Sequence, residues 1–358
     1  MNEPEVAVLI GPRPWAFSVS ELTAGLRRYT KDSSLQILEI KSQEIAHQRS
    51  SMSRIRGMRV VCKSVKGREV FNLVVKESFG ATRAGAPSGG WRERSLYTTM
   101  VDYIPIKMPK MVAADPEGEW IVLSLLPGGI QAEHWGAGEY RLAVDQLAAL
   151  HDQFWGLKDD LENYNWLARP LEVDFSLVVS AASNSLQKLR NQPDHLLHSE
   201  YELFLAINNI VSKADQIAAP LRQLPATLLH GDYWPGNLMV YPDGTLYALD
   251  WQLAAIGPGV LDLMIFIQES RWWFEPMPVS VGEIVGRYRQ NLSKLNGCEW
   301  STSEWELLLD HALLWTFLSN WIEVLGRAPN SIIQVHKDHL ESVWLEPIRR
   351  AAFRRLSR

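Results

Sequence analysis

The sequence predicts an α+β protein in which a small β-sheet lobe precedes a larger, mostly helical lobe. Two observations predict this fold class. Segments rich in β-branched residues and separated by turn signals predict strands over residues 35–46, 54–65 and 69–77. After about residue 127 the apolar residues recur with a period near 3.6, which predicts helices. The predicted domains are therefore an N-terminal lobe over residues 1–126 and a C-terminal lobe over residues 127–358.

The predicted small lobe begins with an amphipathic helix over residues 19–30, for which Ser20 is a possible N-cap. "VKGRE" predicts a hairpin turn before the third strand, and "GATRAGAPSGG" after that strand predicts a loop. "WRERSLYTTMV" then predicts a short helix. "EWIVLSLLPGG" predicts a further strand that ends in a turn and leads to a connector near residues 124–130.

The predicted large lobe is helical except for one hairpin. "EYRLAVDQLAALHDQFW" carries an apolar stripe with helical period. The hairpin is predicted from "LMVYP" and "LYALDWQ", which flank a "DG" turn. Further helices are predicted over 173–190, 196–219, 279–294, 303–326 and 333–355.

Composition excludes several classes of protein. The 358 residues are 46% hydrophobic and 22% charged, and their net charge of -5 gives no basic face for nucleic acid. No uncharged apolar run approaches 18 residues, and no basic segment precedes an apolar stretch at the start, so we expect neither a membrane span nor a signal peptide. Cys62 and Cys298 lie too far apart for a disulfide framework or a zinc site. We therefore expect a cytoplasmic protein, whose oligomeric state the sequence does not indicate.

The segment "LLHGDYWPGNLMV", residues 228–240, interrupts two apolar runs with polar and turn-forming residues. Asp232 and Asn237 lie in a loop before one predicted hairpin strand, and Asp250 ends the other strand. Because a hairpin brings its two ends together, these three side chains are expected to converge. Two carboxylates and an amide oxygen are the hard ligands that Mg²⁺ prefers. A carboxylate beside a substrate hydroxyl can instead accept its proton.

The strings "HGDYWPGN", "LDWQ" and "GPGVLDL" resemble those of the aminoglycoside phosphotransferase and choline kinase superfamily. The tryptophan of "DYWPGN" and the "DWQ" triplet favour its ecdysteroid-kinase-like branch. The segment "LAALHDQFW" is similar to the family's first large-lobe helix. The spacing is also similar to that of protein kinases, although "HGD" and "DWQ" replace "HRD" and "DFG". The resemblance implies a bilobal protein-kinase-like fold. It also implies an ATP-dependent phosphotransferase that moves the γ-phosphate of ATP to a hydroxyl of a small molecule.

The resemblance gives each polar residue of the large lobe an expected role. Asp232 is the expected catalytic base, and Asn237 and Asp250 are the expected magnesium ligands. Asp262 is expected to cap a helix or to hold the catalytic loop, in preference to acting as a third catalytic carboxylate, and His230 is expected to support the loop by hydrogen bonds. His151, on the first large-lobe helix, is expected to be a core histidine.

The resemblance also implies a nucleotide site in the small lobe. Lys76 would contact the α- and β-phosphates, and Glu93 would hold it in place, although a lone lysine at a strand end is ordinarily a solvated charge. Backbone amides around Ser51 would cover the phosphates, but "HQRSSMSRIRG" has no G-x-G-x-x-G and is equally consistent with an ordinary polar loop. Main-chain groups of Ser124 and Leu126 would bind adenine.

The sequence does not identify the molecule that would accept the phosphate. Eight of the 15 tryptophans lie in residues 251–358, where 12 acidic and 11 basic residues give no acidic pocket for an aminoglycoside. "ESRWWFEP" with Trp315 and Trp321 predicts either a packed core or an aromatic wall. Such a wall suits a sterol, a macrolide or another apolar alcohol, or a quaternary ammonium group such as that of choline.

Alternative functions are an aminoglycoside or macrolide antibiotic phosphotransferase and a catalytically silent binding protein on the kinase fold. The silent protein is disfavoured because all four polar roles of the predicted site are filled. A protein kinase is disfavoured because no A-P-E-like string closes an activation segment.

Overall fold

The computed structural model of the protein describes residues 14–45, 53–78, 86–192 and 201–356. The chain divides into two compact units. The smaller unit contains Met1–Ser78 and Lys110–Leu125, and the larger contains Phe79–Pro109 and Leu126–Arg358. The segment Phe79–Pro109 therefore belongs to the larger unit, whereas the sequence analysis assigned it to the N-terminal lobe.

The smaller unit is built on an antiparallel five-stranded sheet with the strand order β1-β2-β3-β5-β4. The long β2–β3 hairpin pairs from Ser53 with Ser78 to Ser64 with Gly67, so the turn lies where "VKGRE" predicts it. The predicted strands are confirmed, but β4 was missed because four residues carry too little alternation to be recognised. The strands are β1 (Gln36–Gln43), β2 (Ser53–Ser64), β3 (Gly67–Ser78), β4 (Met111–Ala114) and β5 (Trp120–Ser124).

Helix α1 (Val19–Thr30) covers this sheet and buries Leu22 and Leu26 in its core. The N-cap is Ser18, so the predicted cap at Ser20 was wrong. The Ser18 side chain accepts a hydrogen bond from the Glu21 backbone, and the Glu21 carboxylate accepts one from the Ser18 backbone, forming a capping box.

The larger unit is mostly helical, and its core is formed by apolar residues of the later helices, among them Ile207, Ile217, Leu314 and Trp344. Its helices are α2 (Gly89–Thr99), α3 (Ala137–Gln153), α4 (Lys158–Leu161), α5 (Phe175–Arg190), α6 (Tyr201–Ser212), α7 (Ala214–Arg222), α8 (Val260–Phe274), α9 (Val281–Asn296), α10 (Thr302–Thr316), α11 (Ile322–Arg327), α12 (Asn330–Val335), α13 (Lys337–Leu340) and α14 (Glu346–Leu356).

Four short strands lie among these helices. Strand β6 (Thr227–Leu229) pairs with β9 (Ala255–Gly257), and β7 (Leu238–Val240) pairs with β8 (Leu246–Ala248). The predicted hairpin of the large lobe is therefore confirmed as β7–β8. The β6–β9 pair was missed because its partners are far apart in sequence and only three residues long.

The last two predicted helices are each divided. The first continues from α10 through the π-helical residues Phe317–Trp321 into α11, which ends before Pro329 because proline cannot continue a helix. The second consists of α12, α13, the π-helical residues Glu341–Leu345, and α14. The apolar period does not change at these points, so the sequence pattern alone predicts uninterrupted helices.

The close packing of α1 on β4 yields a prediction. A Cβ added at Gly25 would lie 2.6 Å from both the Ala113 Cβ and the Val112 carbonyl oxygen, so Gly25→Ala is expected to lower the free energy of unfolding by about 1–3 kcal/mol. Chemical denaturation measures this change. The control is Gly286→Ala in α9, where nothing lies within 4 Å of the added carbon and the substitution should be neutral or stabilising. Equal stability of the two variants would contradict the packing.

Candidate active site

The loop that follows β6 depends on a close approach between two backbones. Pairing of β6 with β9 brings residues 230 and 231 beside the segment before β9. Gly231 has φ +80, and a Cβ at this position would overlap the carbonyl oxygen of Leu253. Only glycine meets both conditions without strain, which explains the glycine of "HGD".

Asp262, fully buried in the first turn of α8, holds this loop in place. Its Oδ2 accepts a hydrogen bond from the backbone N–H of His230 at 2.7 Å, and its Oδ1 accepts one from that of Gly231 at 2.9 Å. His151 Nε2 lies 3.4 Å from Oδ2. His151 is fully buried and bonds Tyr288 Oη through Nδ1 at 2.7 Å, as expected of a core histidine.

His230 fastens the loop to the end of β8. Its Nε2–H donates to the carbonyl oxygen of Leu249 at 2.9 Å, and its Nδ1 accepts from the backbone N–H of Asp232 at 3.3 Å. Complete burial lowers the pKa of His230, so the ring is neutral, as this pattern of one donor and one acceptor requires. The ring packs on Trp251 with centroids 4.3 Å apart. His230 thus holds the loop through hydrogen bonds at both ring nitrogens, and its predicted supporting role stays a prediction.

Asp232 and Asn237 lie at the two ends of a tight turn over residues 232–237, and this turn contains the 3₁₀ residues Pro235–Asn237. The Asn237 side chain donates from Nδ2 to the Asp232 carbonyl oxygen at 2.9 Å and to Asp232 Oδ2 at 2.8 Å. These two hydrogen bonds therefore close the turn between Asp232 and Asn237, both of which the sequence analysis gave as candidate site residues. With Nδ2 committed to Asp232, the carboxamide oxygen is the Asn237 atom that can serve as a metal ligand.

The β7–β8 hairpin brings Asp250 to the same end of the ribbon. Leu238 pairs with Ala248, and the backbone N–H of Leu249 donates to the Asn237 carbonyl oxygen at 2.8 Å. Asp250 follows directly and has φ +61, a left-handed conformation that is uncommon for aspartate. A residue held in this conformation by a hydrogen-bonded neighbour is typical of functional sites.

The donor set formed by Asp232, Asn237 and Asp250 fits a magnesium ion. All three side chains are half-buried and offer hard oxygen atoms from two carboxylates and one amide. No group of three or more His, Cys, Asp or Glu side chains within the described part of the chain is placed to hold a metal ion. A metal at this end of the hairpin therefore depends on the amide of Asn237.

Helix α2 presents acidic and phenolic groups to this end of the hairpin. Glu93 is 1% exposed, and Tyr97 lies one helical turn further along. Burial raises the pKa of Tyr97 well above its usual range, and the nearby carboxylates of Glu93 and Asp250 raise it further. Tyr97, and Arg92 directly before Glu93, were missed by the sequence analysis. The spacing of Tyr97, four residues after Glu93 on a helix, was the signal that was available.

The predicted phosphate-binding lysine lies in the smaller unit. Lys76 pairs with Ile55 of β2 and Ile121 of β5, and it is 4% exposed, so it is not a solvated surface charge. Glu77 takes the opposite face of the strand and forms ion pairs with Arg54 and Arg56. Glu93 belongs to the larger unit, so its pairing with Lys76 stays a prediction.

The other predicted nucleotide contacts stay predictions as well. Ser51 lies outside the described residues. The backbone N–H of Ser124 donates to the Lys110 carbonyl oxygen at 2.8 Å, and the Ser124 hydroxyl accepts from the Lys110 backbone N–H at 2.9 Å. The Ser124 carbonyl is therefore the main-chain group for an adenine contact to use. Ser124 is the next-to-last residue of the smaller unit, which ends at Leu125, and Leu126 begins the second segment of the larger one.

An aromatic surface adjoins the loop. The Trp234 ring folds over Gly236, where any Cβ would overlap it, and packs on Trp273 and Phe274 with centroids 6.2 and 6.1 Å apart. Trp273 is 49% exposed. Two residues after Asp232, the loop thus carries one side of a partly exposed aromatic surface.

Of the tryptophans for which the sequence left a packed core and an aromatic wall open, Trp315 and Trp321 belong to the core. Trp315 is 2% exposed and stacks on Phe175, so it belongs to the core. Trp321 is also buried, and it donates from Nε1 to Glu269 Oε1 at 3.2 Å. Glu269 Oε2 accepts from the Nε1–H of Trp273 at 3.1 Å. One carboxylate thus fixes both a core indole and the exposed one.

The comparison that decides the family covers this loop and hairpin. A sequence profile of the phosphotransferase enzyme family (APH) matches residues 93–298, more than half of the chain. The chain belongs to the phosphotransferase enzyme family. The predicted membership of the aminoglycoside phosphotransferase and choline kinase superfamily is thereby confirmed, and so is the predicted small-molecule kinase class. The predicted similarity to the ecdysteroid-kinase-like branch stays a prediction. No curated protein matches this phosphotransferase in sequence.

Solved structures similar to this phosphotransferase have the same fold. Choline kinase from Cryptosporidium parvum Iowa II is 11% identical with a TM-score of 0.55, and the match covers 95% of this chain and 96% of that one. Plasmodium vivax ethanolamine kinase is 13% identical with a TM-score of 0.55, over 87% of this chain and 83% of that one. The amicoumacin kinase hAmiN is 12% identical with a TM-score of 0.52, over 92% and 96%. At these identities the likeness supports the kinase-like α+β fold alone, which confirms the predicted fold class.

Over residues 14–45, 53–78, 86–192 and 201–356, no helix combines the length and the apolar character needed to cross a bilayer.

The buried carboxylate of Asp262 yields a prediction. Asp262→Asn replaces one accepting oxygen with a donor that opposes a backbone N–H, so the free energy of unfolding is expected to fall by about 2–3 kcal/mol. Chemical denaturation measures the change. Asp160→Asn, which alters an exposed carboxylate on α4, should stay within about 0.5 kcal/mol of the parent. Asp262 would not be the support of the loop if the two variants were equally stable.

Proposed function

We propose that this phosphotransferase moves the γ-phosphate of ATP to a hydroxyl of a small molecule. The observation that carries the proposal is the turn closed by Asn237 on Asp232, next to the hydrogen bond that brings Asp250 to the same end of the hairpin. A phosphotransferase of the kinase type needs a base for the hydroxyl and oxygen ligands for a cation at one place, and this end of the hairpin offers both.

Asp232 is the proposed catalytic base. Its Oδ2 accepts a hydrogen bond from Asn237, which fixes the plane of the carboxylate that would orient the acceptor hydroxyl. As the acceptor oxygen forms its bond to the γ-phosphorus, the bond from that phosphorus to the bridging oxygen of ADP breaks. The proton of the hydroxyl passes to the Asp232 carboxylate.

The carboxamide oxygen of Asn237 and the carboxylate of Asp250 are the proposed magnesium ligands. When bound, magnesium neutralises charge on the β- and γ-phosphates. The left-handed backbone of Asp250 and the bond between Leu249 and Asn237 set the position of these oxygens before any ligand binds. Such preorganisation avoids a reorganisation cost during the reaction.

The nucleotide side of the proposal rests on the sequence. Lys76 is proposed to hold the α- and β-phosphates and Glu93 to steady it, with main-chain groups near Ser51, Ser124 and Leu126 on the phosphates and adenine. The burial of Lys76 supports a role other than solubility. The structure of amicoumacin kinase with AMP-PNP and Ca²⁺ supports the use of a nucleoside triphosphate with a divalent cation, for which we propose Mg²⁺.

The cytoplasm is the compartment that we propose for this activity. Both cysteines are free thiols, Cys62 buried and Cys298 half-buried, which suits a reducing compartment. ATP and magnesium are both plentiful there.

The role of Asp232 yields a prediction. Asp232→Asn removes the proton acceptor and is expected to lower phosphate transfer by about 10²–10⁴-fold while AMP-PNP binding persists. Transfer of labelled phosphate from Mg–ATP to a panel of hydroxylated small molecules, which includes sterols, macrolides, aminoglycosides and choline, measures it. Full activity of Asp232→Asn contradicts the assignment, whereas Asp160→Asn should retain full activity. A parent protein that binds Mg–AMP-PNP but neither transfers phosphate nor hydrolyses ATP would instead be a silent binding protein.

The aromatic surface of Trp234, Trp273 and Phe274 favours an acceptor with an apolar ring face. It adjoins the proposed base, and the exposed Trp273 ring is held by the bond from its N–H to Glu269. Ring stacking contributes binding free energy to flat apolar ligands and needs no charge on them. Glu269 accepts the N–H groups of Trp273 and Trp321 and so holds this surface in one orientation.

The exposed indole yields a prediction. Trp273→Ala removes the outer ring of the surface and is expected to raise the KM of the accepted alcohol roughly tenfold, with kcat changed little, because the contact is made equally before and during transfer. Steady-state kinetics with the alcohol identified in the panel measures both constants. Phe353→Ala, at a 77% exposed ring on α14, is the matched control. An unchanged KM, or an equal rise in the control, counts against the acceptor surface.

A further inference from the structure

The helix that carries Glu93 is fastened to the segment that follows Asp250 by one buried guanidinium. Arg92 is 6% exposed and donates from Nη1 to the Gln252 carbonyl oxygen at 2.6 Å. Its Nε donates to the Trp166 carbonyl oxygen at 3.0 Å, and its Nη2 donates to the Pro87 carbonyl oxygen at 3.1 Å. All three acceptors are main-chain groups of the larger unit, to which α2 itself belongs.

A second contact brings the same two segments together. A Cβ added at Gly89, the first residue of α2, would lie 3.2 Å from the Gln252 Cβ and 3.5 Å from its carbonyl oxygen. Glycine therefore allows the start of the helix to lie directly against Gln252, two residues after Asp250. The Arg92 bond and this packing are independent observations of one junction between α2 and the Asp250 segment.

Helix α2 has little local stabilisation of its own. Its N-cap, Ser88, has φ +62 and makes no side-chain cap bond, and the helix begins with two glycines. Both features disfavour helix formation, so the position of α2 depends on tertiary contacts. Burying a guanidinium is also costly unless its donors are satisfied. Burial lowers the pKa of Arg92, which agrees with that cost.

We infer that Arg92 is a positioning residue that locks α2 to the Asp250 segment, so that Glu93 and Asp250 are held in one fixed arrangement before nucleotide binds. Glu93 follows Arg92 directly, and Gln252 lies two residues after Asp250, so each group of the proposed site is close in sequence to one end of the lock. The planar fork of Arg92 donates to three carbonyls in different directions, and neither lysine nor methionine reproduces this geometry. The inference deepens the proposed function and rests on it for the identity of the ligands.

The lock itself is tested without any ligand. Hydrogen–deuterium exchange of the full-length, nucleotide-free protein is compared for the parent, Arg92→Met and Arg94→Met, where Arg94 is the half-buried arginine two residues along the same helix. Arg92→Met is expected to speed exchange about tenfold or more in both Gly89–Thr99 and residues 249–254, because charge-assisted bonds to both segments are lost. Arg94→Met should match the parent. No change in Arg92→Met, or faster exchange in only one segment, overturns the lock.

Arg92→Lys keeps the inference testable if the methionine variant does not fold. It retains the charge but cannot bond all three carbonyls, so exchange should rise in the same two segments by a smaller factor. A lysine variant identical to the parent in both segments also overturns the lock.

The effect on the site is measured by calorimetric titration with Mg–AMP-PNP and, separately, with AMP. Arg92→Met is expected to weaken Mg–AMP-PNP about tenfold and to leave AMP unchanged, because the lock orders the groups near the β- and γ-phosphates. An equal loss for both nucleotides means that Arg92 is merely structural and overturns the positioning role. A parent protein that binds neither nucleotide refutes the proposed function, while the exchange experiment still decides whether the lock exists.

Discussion

The site depends on a carboxylate that has no contact with solvent. Asp262 accepts hydrogen bonds from the backbone N–H groups of His230 and Gly231 and so fixes the start of the loop. A buried charge is tolerated only when its hydrogen bonds are satisfied, so the bond geometry of this residue is tightly determined. Because Asp262 holds His230 in this way, the hydrogen bond from His230 Nε2–H to the Leu249 carbonyl oxygen in turn fixes the residue before Asp250. The position of the loop that contains Asp232 relative to the strand end before Asp250 thus depends on the buried carboxylate of Asp262.

The groups around the predicted site in the larger unit differ in burial. His230, Asp262 and Arg92 are buried and have their hydrogen bonds within the protein, whereas Asp232, Asn237 and Asp250 are half-buried. Burial gives the first group fixed geometry, whereas the second group lies partly exposed at the end of the hairpin. A histidine in the loop is therefore compatible with an aspartate base, because burial keeps the histidine neutral and engaged.

Sequence reasoning succeeded where contacts are local. The loop and hairpin span fewer than 25 residues, and antiparallel pairing dictates that their ends meet, so the approach of the Asp232–Asn237 turn to the strand end before Asp250 follows from spacing. Arg92 could not be found in this way, because its acceptors Trp166 and Gln252 lie 74 and 160 residues further along the chain. The cap at Ser18 was missed by two residues because Ser20 also precedes the apolar pattern of the helix.

The tryptophans illustrate what composition alone cannot decide. Trp315 and Trp273 belong to the same predicted aromatic group, yet one is buried against Phe175 and the other is half exposed. An exposed indole forgoes the free energy that burial would provide, and Trp273 is moreover held in one orientation by Glu269. A ring that is both exposed and fixed loses little conformational entropy when a ligand stacks on it. This combination, and not the number of tryptophans, makes the surface beside Asp232 suitable for an apolar acceptor.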